Sequence, residues 1–257
     1  MASYPTSSKP RICLVALIGL PGTGKTTLCN QLQTFITEES MPEFGCLHLC
    51  YDQLIPISKQ KDMALEASNH SDESSSKQKI NDNFKSSRKN IIQISEHVIY
   101  KLKGIVEKGD DYVQTNDGNI LQSYESVKEK ENIIMLLDDN NYYQSMRYEY
   151  YQLARKHSIG FCEIYLNPDC IDSVLSNNQL RPIAEQIPDD VIKAMGTKIE
   201  APDPFKNPWE QFSFSINVQE KQNEKCQSLY NMEISRVQYN IVKLFCDIKL
   251  EVSLPTQ

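Results

Sequence analysis

A short apolar run at residues 12–18 leads directly into a glycine-rich segment, and this junction constrains the fold more than any other stretch. The segment, residues 19–26, has the sequence Gly-Leu-Pro-Gly-Thr-Gly-Lys-Thr and matches the pattern G-x-x-x-x-G-K-[ST]. Glycines let the backbone turn its N–H groups toward a polyphosphate, and the helix that follows directs its positive end at the same anion. The junction therefore predicts a strand, a phosphate-binding loop (P-loop) and a helix.

The residue types of the P-loop predict a nucleotide and a metal ion. Lys25 can reach the outer phosphates as a positive charge, and the hydroxyl of Thr26 is placed to contact Mg²⁺. We therefore expect ATP and Mg²⁺ as the cofactors. The predicted nucleotide-binding residues are Gly19, Leu20, Pro21, Gly22, Thr23, Gly24, Lys25, Thr26 and Thr27.

Acidic residues at the ends of two predicted strands complete the candidate site. A strand at residues 45–51 is followed by Asp52, and the fully apolar run 133–137 is followed by Asp138 and Asp139. In open α/β sheets, chemistry gathers at the carboxyl ends of the strands, so these acids should face the P-loop. Asp138 is the predicted Mg²⁺ ligand, directly or through water, with Asp139 as the alternative. Asp52 either faces the ligand that the P-loop holds, as a catalytic residue, or is the N-cap of the next turn.

The distribution of charge along the chain gives opposing indications about binding to nucleic acid. The net charge of −7 is a mild argument against an extended nucleic-acid interface. Residues 77–108, however, carry eight Lys or Arg residues against three acids, a local excess of five positive charges. This segment is either a solvated helix face or a basic surface for RNA.

The cysteines and the apolar segments indicate a cytoplasmic protein. None of the eight cysteines forms a C-x-x-C pair, which is typical of reduced, buried thiols. The segment Cys46-Leu47-His48-Leu49-Cys50 alternates as a strand does, so we expect no structural metal. No apolar run approaches the roughly 20 residues that cross a bilayer, and we expect no membrane partner.

The hydrophobic pattern divides the chain into three parts. Residues 1–11 are predicted to be a disordered lead, and residues 12–200 an α/β domain with a mostly parallel sheet flanked by helices. Within that domain, a polar mobile loop is expected at about 56–82 and an amphipathic helix at 83–108. Residues 201–257 are expected to form a small helical C-terminal domain.

Residues 138–156 resemble a known family. They begin Asp-Asp-Asn-Asn-Tyr-Tyr-Gln-Ser-Met-Arg-Tyr-Glu and closely resemble the L-seryl-tRNA(Sec) kinase family. With residues 19–26 and Tyr51-Asp52, the resemblance covers most of residues 12–216. It implies a P-loop kinase fold whose C-terminal domain binds tRNA. It also implies ATP-dependent phosphorylation of the seryl group of Ser-tRNA(Sec), a phosphotransferase step of selenocysteine biosynthesis for selenoproteins.

The resemblance also implies roles for individual residues. In related P-loop kinases the acid at the end of the second strand acts on the acceptor hydroxyl, and this position corresponds to Asp52. The family's lid pattern Arg-x-x-x-Arg is altered here, because Asn177 replaces the first Arg and only Arg181 remains. The predicted catalytic residues are Lys25, Asp52, Arg147 and Arg181, and the two arginines are expected to neutralise charge on the transferred phosphoryl group. The predicted substrate-contacting residues are Tyr142, Tyr143 and Met146.

Two other functional classes fit parts of the sequence. A small-molecule kinase of the nucleoside or adenylate kinase type would suit the acidic isoelectric point. A nucleotide-regulated tRNA-binding factor, similar to the elongator-associated P-loop factor, would need no phosphoryl acceptor. The run of residues 142–147, Tyr-Tyr-Gln-Ser-Met-Arg, favours the seryl-tRNA kinase over both.

Overall fold

The computed structural model describes most of the chain between residues 9 and 218. The described ranges are 9–38, 41–55, 73–105 and 118–218, with a few positions between 235 and 243. Residues 1–8 of the predicted disordered lead lie outside the described residues. Most of the predicted C-terminal domain also lies outside them.

Five strands form a single parallel sheet. They are β1 (Arg11–Ile18), β2 (Phe44–Cys50), β3 (Asn132–Asp138), β4 (Gly160–Pro168) and β5 (Ser213–Val218). Their order across the sheet is β2-β3-β1-β4-β5, and every neighbouring pair is parallel. The predicted α/β fold with a parallel sheet is confirmed.

The apolar runs form strands because the centre of the sheet is buried on both faces. β1 pairs with β3 on one side and β4 on the other, so that Leu14 lies opposite Met135 and Phe161. All seven residues of β3 are buried. Continuous apolar sequence, rather than alternation, is what a strand in this position requires.

Helices cover both faces of this sheet. They are α1 (Lys25–Glu38), α2 (Glu73–Leu102), α3 (Gly118–Val127), α4 (Gln144–His157), α5 (Ile171–Gln179) and α6 (Asp189–Gly196). A single helical turn, Tyr51–Leu54, follows β2. Two 3₁₀ turns span Ile183–Glu185 and Pro208–Glu210.

The two faces of the sheet have separate hydrophobic cores. On one face, Leu28 and Leu32 of α1 pack against residues of β1 such as Val15. On the other face, α2 and α4 contribute buried residues such as Ile99 and Leu153. Apolar residues of α1 and α4 recur every three or four positions, and this spacing directs them toward the sheet.

The amphipathic helix begins earlier than its buried stripe predicts. The predicted start is residue 83, whereas α2 begins at Glu73, so residues 73–82 are helical instead of part of the predicted loop. That segment is polar and has no apolar periodicity to reveal a helix. The rest of the predicted loop, residues 56–72, lies outside the described residues.

The predicted boundary between the α/β domain and the C-terminal domain is too early. We expected the boundary after residue 200, but Ser213–Val218 forms β5 and pairs with β4 in register Ile164 to Phe214. β5 is at the edge of the sheet, and only one of its six residues is buried. It therefore lacks the continuous apolar sequence that identified β1 and β3.

The strand order determines where a ligand can bind. β1 and β3 are neighbours in the sheet, but α1, which follows β1, packs on one face and α4, which follows β3, packs on the other. Such a switch in direction opens a crevice at the carboxyl ends of the strands. Among the described residues, no helix is both long enough and apolar enough to cross a membrane.

Candidate nucleotide and acceptor site

The P-loop joins the end of β1 to the start of α1 and has the backbone conformation its glycines predict. Gly22 and Gly24 both have φ of +92°, a region that L side chains rarely adopt. A Cβ on Gly22 would also lie 2.5 Å from the carbonyl oxygen of Val174 in α5. Glycine is therefore required at this position both by conformation and by the close approach of α5.

Two hydrogen bonds connect the P-loop and the end of β1 to the residues that follow β3. The N–H of Gly19 donates to the carbonyl oxygen of Asn140 at 3.0 Å. The side-chain amide of Asn141 donates to the carbonyl oxygen of Leu17 at 2.9 Å, and Asn141 itself has φ of +44°. These contacts fix the loop relative to the two acids at the end of β3.

Lys25 lies at the centre of the site. It is buried, and its Nζ donates to the carbonyl oxygens of Gly19 and Leu20 at 2.9 and 2.8 Å. Burial lowers the pKa of Lys25, while the charges of Asp138 and Asp139 oppose that shift. A lysine in these surroundings can exchange its carbonyl partners for phosphate oxygens with little movement.

Asp138 is the acid that lies against the P-loop helix. Its Oδ2 is 3.0 Å from Nε2 of His48, and it also hydrogen-bonds with Thr26. Burial raises the pKa of Asp138, but hydrogen bonds from His48 and Thr26 and the charge of Lys25 outweigh burial, and the pKa is lowered. The carboxylate is therefore charged and adjacent to the Thr26 hydroxyl, which is a donor set that could hold a hard divalent cation.

Asp139, the alternative metal ligand, is occupied by a different partner. Its Oδ2 is 2.8 Å from Nη1 of Arg88 in α2, and its Oδ1 accepts from the N–H of Asn140 at 2.6 Å. Arg88 also donates to Oδ1 of Asn141 at 3.3 Å and lies over the ring of Tyr51. The sequence pattern assigned Arg88 to the basic surface of its helix, but the structure places it inside the site.

Asp52 lies at the carboxyl end of β2, in the single helical turn that follows it. Its side chain is exposed, and its charge contributes to the electrostatic environment of Lys25. The N-cap of this turn is Cys50 and has no side-chain cap, so the N-cap interpretation of Asp52 is wrong. Its predicted role as the catalytic base stays a prediction.

Arg147 does not face the site, contrary to the prediction that it neutralises charge on a phosphoryl group. It is fully buried, with Nε 3.1 Å from Glu163 and Nη2 2.6 Å from Glu210. Nη1 donates to the carbonyl oxygens of Asn141 and Glu200 at 3.3 and 2.9 Å. Because two carboxylates and two carbonyls already bind this guanidinium, Arg147 joins elements of the fold instead of contacting a substrate.

Glu163, one of the two carboxylates around Arg147, gives the stability of the fold a pH dependence. Glu163 also accepts from Oγ of Ser213 at 2.8 Å, and burial, with Glu210 nearby, raises its pKa from 4.5 to about 7. Between these two pH values the folded state holds a proton that the unfolded state has released. The contribution of Glu163 to the free energy of unfolding is therefore fully present below about pH 4.5 and is lost as the pH rises through about 7.

We expect Glu163→Gln to make stability less sensitive to pH. Because Gln cannot ionise, the stability of the variant relative to wild type should increase by roughly 2–3 kcal/mol between pH 4.5 and pH 8. Urea unfolding at a series of pH values measures this difference. Glu131→Gln, which changes an exposed acid, should leave the pH profile unaltered. Parallel pH profiles for wild type and Glu163→Gln would contradict the expectation.

The two lid positions lie at the end of α5, next to the P-loop. The side-chain amide of Asn177 donates to the carbonyl oxygen of Gly22 at 3.0 Å. Arg181 follows α5, is half-buried, and its charge lowers the pKa of Lys25. Asn177 thus contacts the P-loop backbone where the family pattern has an arginine, and Arg181 remains a candidate for charge neutralisation.

The predicted substrate-contacting residues lie where α4 begins. The rings of Tyr142 and Tyr143 are 4.2 Å apart, and both side chains are half-buried. Met146 is also half-buried, in the first turn of α4. Burial raises the pKa of Tyr142 to about 12, so its hydroxyl is neutral, and the charges of Arg88 and Asp139 also act on it. Contact with a substrate stays a prediction for these residues.

These features define a class of protein. An all-parallel sheet, a P-loop after its central strand and strand-end acids beside that loop are the parts of a P-loop kinase. The family model described as "Chromatin associated protein KTI12" matches residues 12–243, and the chain belongs to this family of P-loop proteins.

Two curated relatives match part of the chain. L-seryl-tRNA(Sec) kinase of Mus musculus is 45% identical over 104 residues, which are 40% of this chain and 26% of the mouse protein. L-seryl-tRNA(Sec) kinase of Homo sapiens is 52% identical over 85 residues, which are 33% of this chain and 23% of the human protein. The aligned parts span about a quarter of these relatives, and the resemblance found in the sequence is confirmed over that extent.

A solved structure supports the fold. The crystal structure of Chaetomium thermophilum Kti12 in complex with ADP-AlF3 has a TM-score of 0.54 and covers 89% of this chain and 98% of that chain. The two sequences are 16% identical, so the likeness concerns the fold alone. It agrees with the P-loop kinase architecture described above.

Proposed function

We propose that this chain is an ATP-dependent kinase that phosphorylates the seryl group of Ser-tRNA(Sec) to give O-phosphoseryl-tRNA(Sec). The observation that carries the proposal is Asp52, an exposed carboxylate at the end of β2 whose charge acts on Lys25. There, it can accept a proton from an acceptor hydroxyl while Lys25 holds the attacked phosphate. The partial identity with the mouse and human L-seryl-tRNA(Sec) kinases supports a seryl-tRNA acceptor.

The proposed reaction is a single displacement at the γ-phosphorus of ATP. The backbone N–H groups of residues 19–24 and the ammonium of Lys25 hold the phosphates. The seryl oxygen forms a bond to the γ-phosphorus while the bond from that phosphorus to the β–γ bridging oxygen breaks, and ADP leaves. The seryl proton passes to Asp52, and Arg181 offsets negative charge on the transferred group. Catalysis then consists mainly of positioning and electrostatics.

Thr26 in the first turn of α1 and Asp138 at the end of β3 fit the Mg²⁺ that such a reaction uses. The Thr26 hydroxyl and the charged Asp138 carboxylate are hydrogen-bonded neighbours, and both supply the oxygen donors that Mg²⁺ prefers. We assign Mg²⁺ to these two residues, directly or through water. When bound, the ion would neutralise charge on the β- and γ-phosphates.

The proposal is tested by following label from γ-phosphate-labelled ATP. Ser-tRNA(Sec), Ser-tRNA(Ser), free serine and nucleosides are offered in parallel. We expect label on Ser-tRNA(Sec) alone. Label on free serine or on a nucleoside, with none on RNA, would instead identify a small-molecule kinase.

A nucleotide-regulated tRNA-binding factor is the second candidate. One observation leaves room for it: the family model described as "Chromatin associated protein KTI12" spans residues 12–243, whereas the matched L-seryl-tRNA(Sec) kinases align with only 33–40% of the chain. In this case ATP hydrolysis would control RNA binding without an acceptor. RNA-stimulated ATP hydrolysis without label on any acceptor would support this second function over the kinase.

We further propose that α2 contributes to RNA binding through Lys85 and Lys89. Both side chains are exposed, whereas Arg88 between them pairs with Asp139. Lys85→Ala/Lys89→Ala should weaken tRNA binding. The slope of the logarithm of the association constant against the logarithm of the salt concentration should become shallower by about 1 to 2. Filter binding at several salt concentrations measures the slope.

The control for this double variant removes the same charge from another surface. Lys128→Ala/Lys206→Ala replaces two lysines on exposed positions distant in sequence from α2. We expect the control to retain the wild-type slope. Equal slopes for the two double variants would remove α2 from the proposed RNA surface.

A further inference from the structure

Leucines alternate with other residues in the segment Cys46-Leu47-His48-Leu49-Cys50, and this alternation places three possible metal ligands on one face of the sheet. The segment lies in β2, as its alternation predicts, and successive side chains of a strand point to opposite faces. Leu47 and Leu49 belong to the core beneath α2 and α4, whereas Cys46 belongs to the core beneath α1. Cys46, His48 and Cys50 therefore lie on the same face of β2, and this is the face that packs against α1.

On that face, three different donor atoms converge from three elements. They are a thiol sulfur of Cys29 in α1, an imidazole nitrogen of His48 in β2 and a carboxylate oxygen of Asp138 at the end of β3, all within 4.8 Å of one another. Cys29 and Asp138 are buried, and the His48 side chain is 9% exposed. Cys46 and Cys50 adjoin the group as further thiols, and burial raises the pKa of the Cys29 thiol, so a bound cation must displace its proton.

The donor set selects a particular kind of cation. Mg²⁺ takes oxygen ligands, whereas a thiolate and an imidazole together favour Zn²⁺ and similar borderline-soft ions. Tetrahedral Zn²⁺ with bonds of about 2.0–2.3 Å has ligand atoms about 3.3–3.8 Å apart. A group whose donors already lie within 4.8 Å needs movements of about 1 Å to reach that arrangement.

We propose that Cys29, His48 and Asp138 form a binding site for a borderline-soft divalent cation such as Zn²⁺, with water in the fourth position. The site shares Asp138 with the Mg²⁺ position assigned above. Because a soft cation draws the shared carboxylate toward Cys29 and His48 and away from Thr26, it displaces Mg²⁺ and inhibits phosphate transfer. The binding site stands on its own geometry, and only the inhibition rests on the proposed function.

Binding is tested without reference to activity. Cd²⁺ is added to the reduced full chain, and the ultraviolet thiolate-to-cadmium charge-transfer band is recorded. We expect a saturable band in wild type, and at least about tenfold weaker binding in Cys29→Ala and His48→Asn. Cys162→Ala removes a buried thiol of the same size from β4 and should retain wild-type affinity.

Two results would overturn the site. One is the absence of a saturable band in wild type, and the other is a band of unchanged affinity in Cys29→Ala. If Cys29→Ala fails to fold, as judged by circular dichroism, Cys29→Ser keeps the side-chain size and replaces the sulfur by a poorer ligand for Cd²⁺. It should lose the band in the same way.

The shared carboxylate is tested by competition. At a fixed concentration of free Cd²⁺, raising Mg²⁺ together with ATP should weaken Cd²⁺ binding to wild type, and unchanged affinity would show that Asp138 is not shared. In the kinase assay, Zn²⁺ should inhibit wild type at least about tenfold more strongly than Cys29→Ala, whose basal turnover should persist. A chain that gives the charge-transfer band but no label transfer would refute the proposed function and leave the metal site intact.

Discussion

Asp52→Asn should lower kcat for phosphate transfer to Ser-tRNA(Sec) by about two to four orders of magnitude, because amide nitrogen and oxygen cannot accept the seryl proton. Asp52 follows β2, at the same sheet edge as the P-loop, and its charge acts on Lys25. The variant keeps the size of the side chain. ATP affinity should therefore change little, and the loss should appear in kcat instead of in KM for ATP.

The control for this variant is an acid at the opposite end of the same strand. Glu43 immediately precedes β2 and is exposed, so Glu43→Gln removes one negative charge far from the carboxyl edge. We expect it to keep wild-type turnover. Single-turnover label transfer separates the chemical step from product release. Turnover by Asp52→Asn close to wild type would show that another group, or water, accepts the proton.

Arg147→Met should destabilise the fold by about 3–5 kcal/mol at pH 8, where Glu163 is ionised, because it leaves the buried Glu163 and Glu210 carboxylates without their cation. The guanidinium joins α4, which carries it, to Glu163 in β4 and Glu210 in the 3₁₀ turn before β5. It also binds the carbonyl of Asn141, which lies beside the P-loop. Urea unfolding measures the loss, and Arg155→Met, an exposed change in the same helix, should cost little.

A rescue experiment separates this structural role from a catalytic one. Glu163→Gln and Glu210→Gln together remove the uncompensated charges, so adding them to Arg147→Met should recover part of the lost stability. Activity should recover with stability. A stable Arg147→Met protein with greatly reduced label transfer would restore the prediction from sequence that Arg147 neutralises charge on the phosphoryl group.

The parts of the site that sequence identified are those that depend on local geometry. The P-loop conformation follows from glycines such as Gly22 and Gly24, whose positive φ values few other residues tolerate. The apolar runs before Gly19 and Asp138 require strands buried on both faces, so each residue lies at the carboxyl edge. The parallel α/β fold and the approximate position of the strand-end acids were predictable for this reason.

The features that the sequence did not predict correctly all depend on contacts between residues distant in the chain. Arg147 and Arg88 have the sequence surroundings of surface arginines in amphipathic helices, and no local pattern shows that Glu163 or Asp139 lies opposite them. The sequence did not predict β5, because an edge strand with one buried residue has no continuous apolar run. Each of these contacts joins residues distant in the chain.

Sequence by itself determined the P-loop, the buried strands and the acids at their ends, because dihedral preference and hydrophobic periodicity act over a few residues. The tertiary structure alone decided which acid adjoins Thr26, that Arg147 is enclosed by carboxylates, and that Cys29 lies beside His48. Those outcomes depend on the strand order β2-β3-β1-β4-β5, which makes neighbours of elements far apart in the chain. Burial then decides which charged side chains stabilise the fold and which remain available to a substrate.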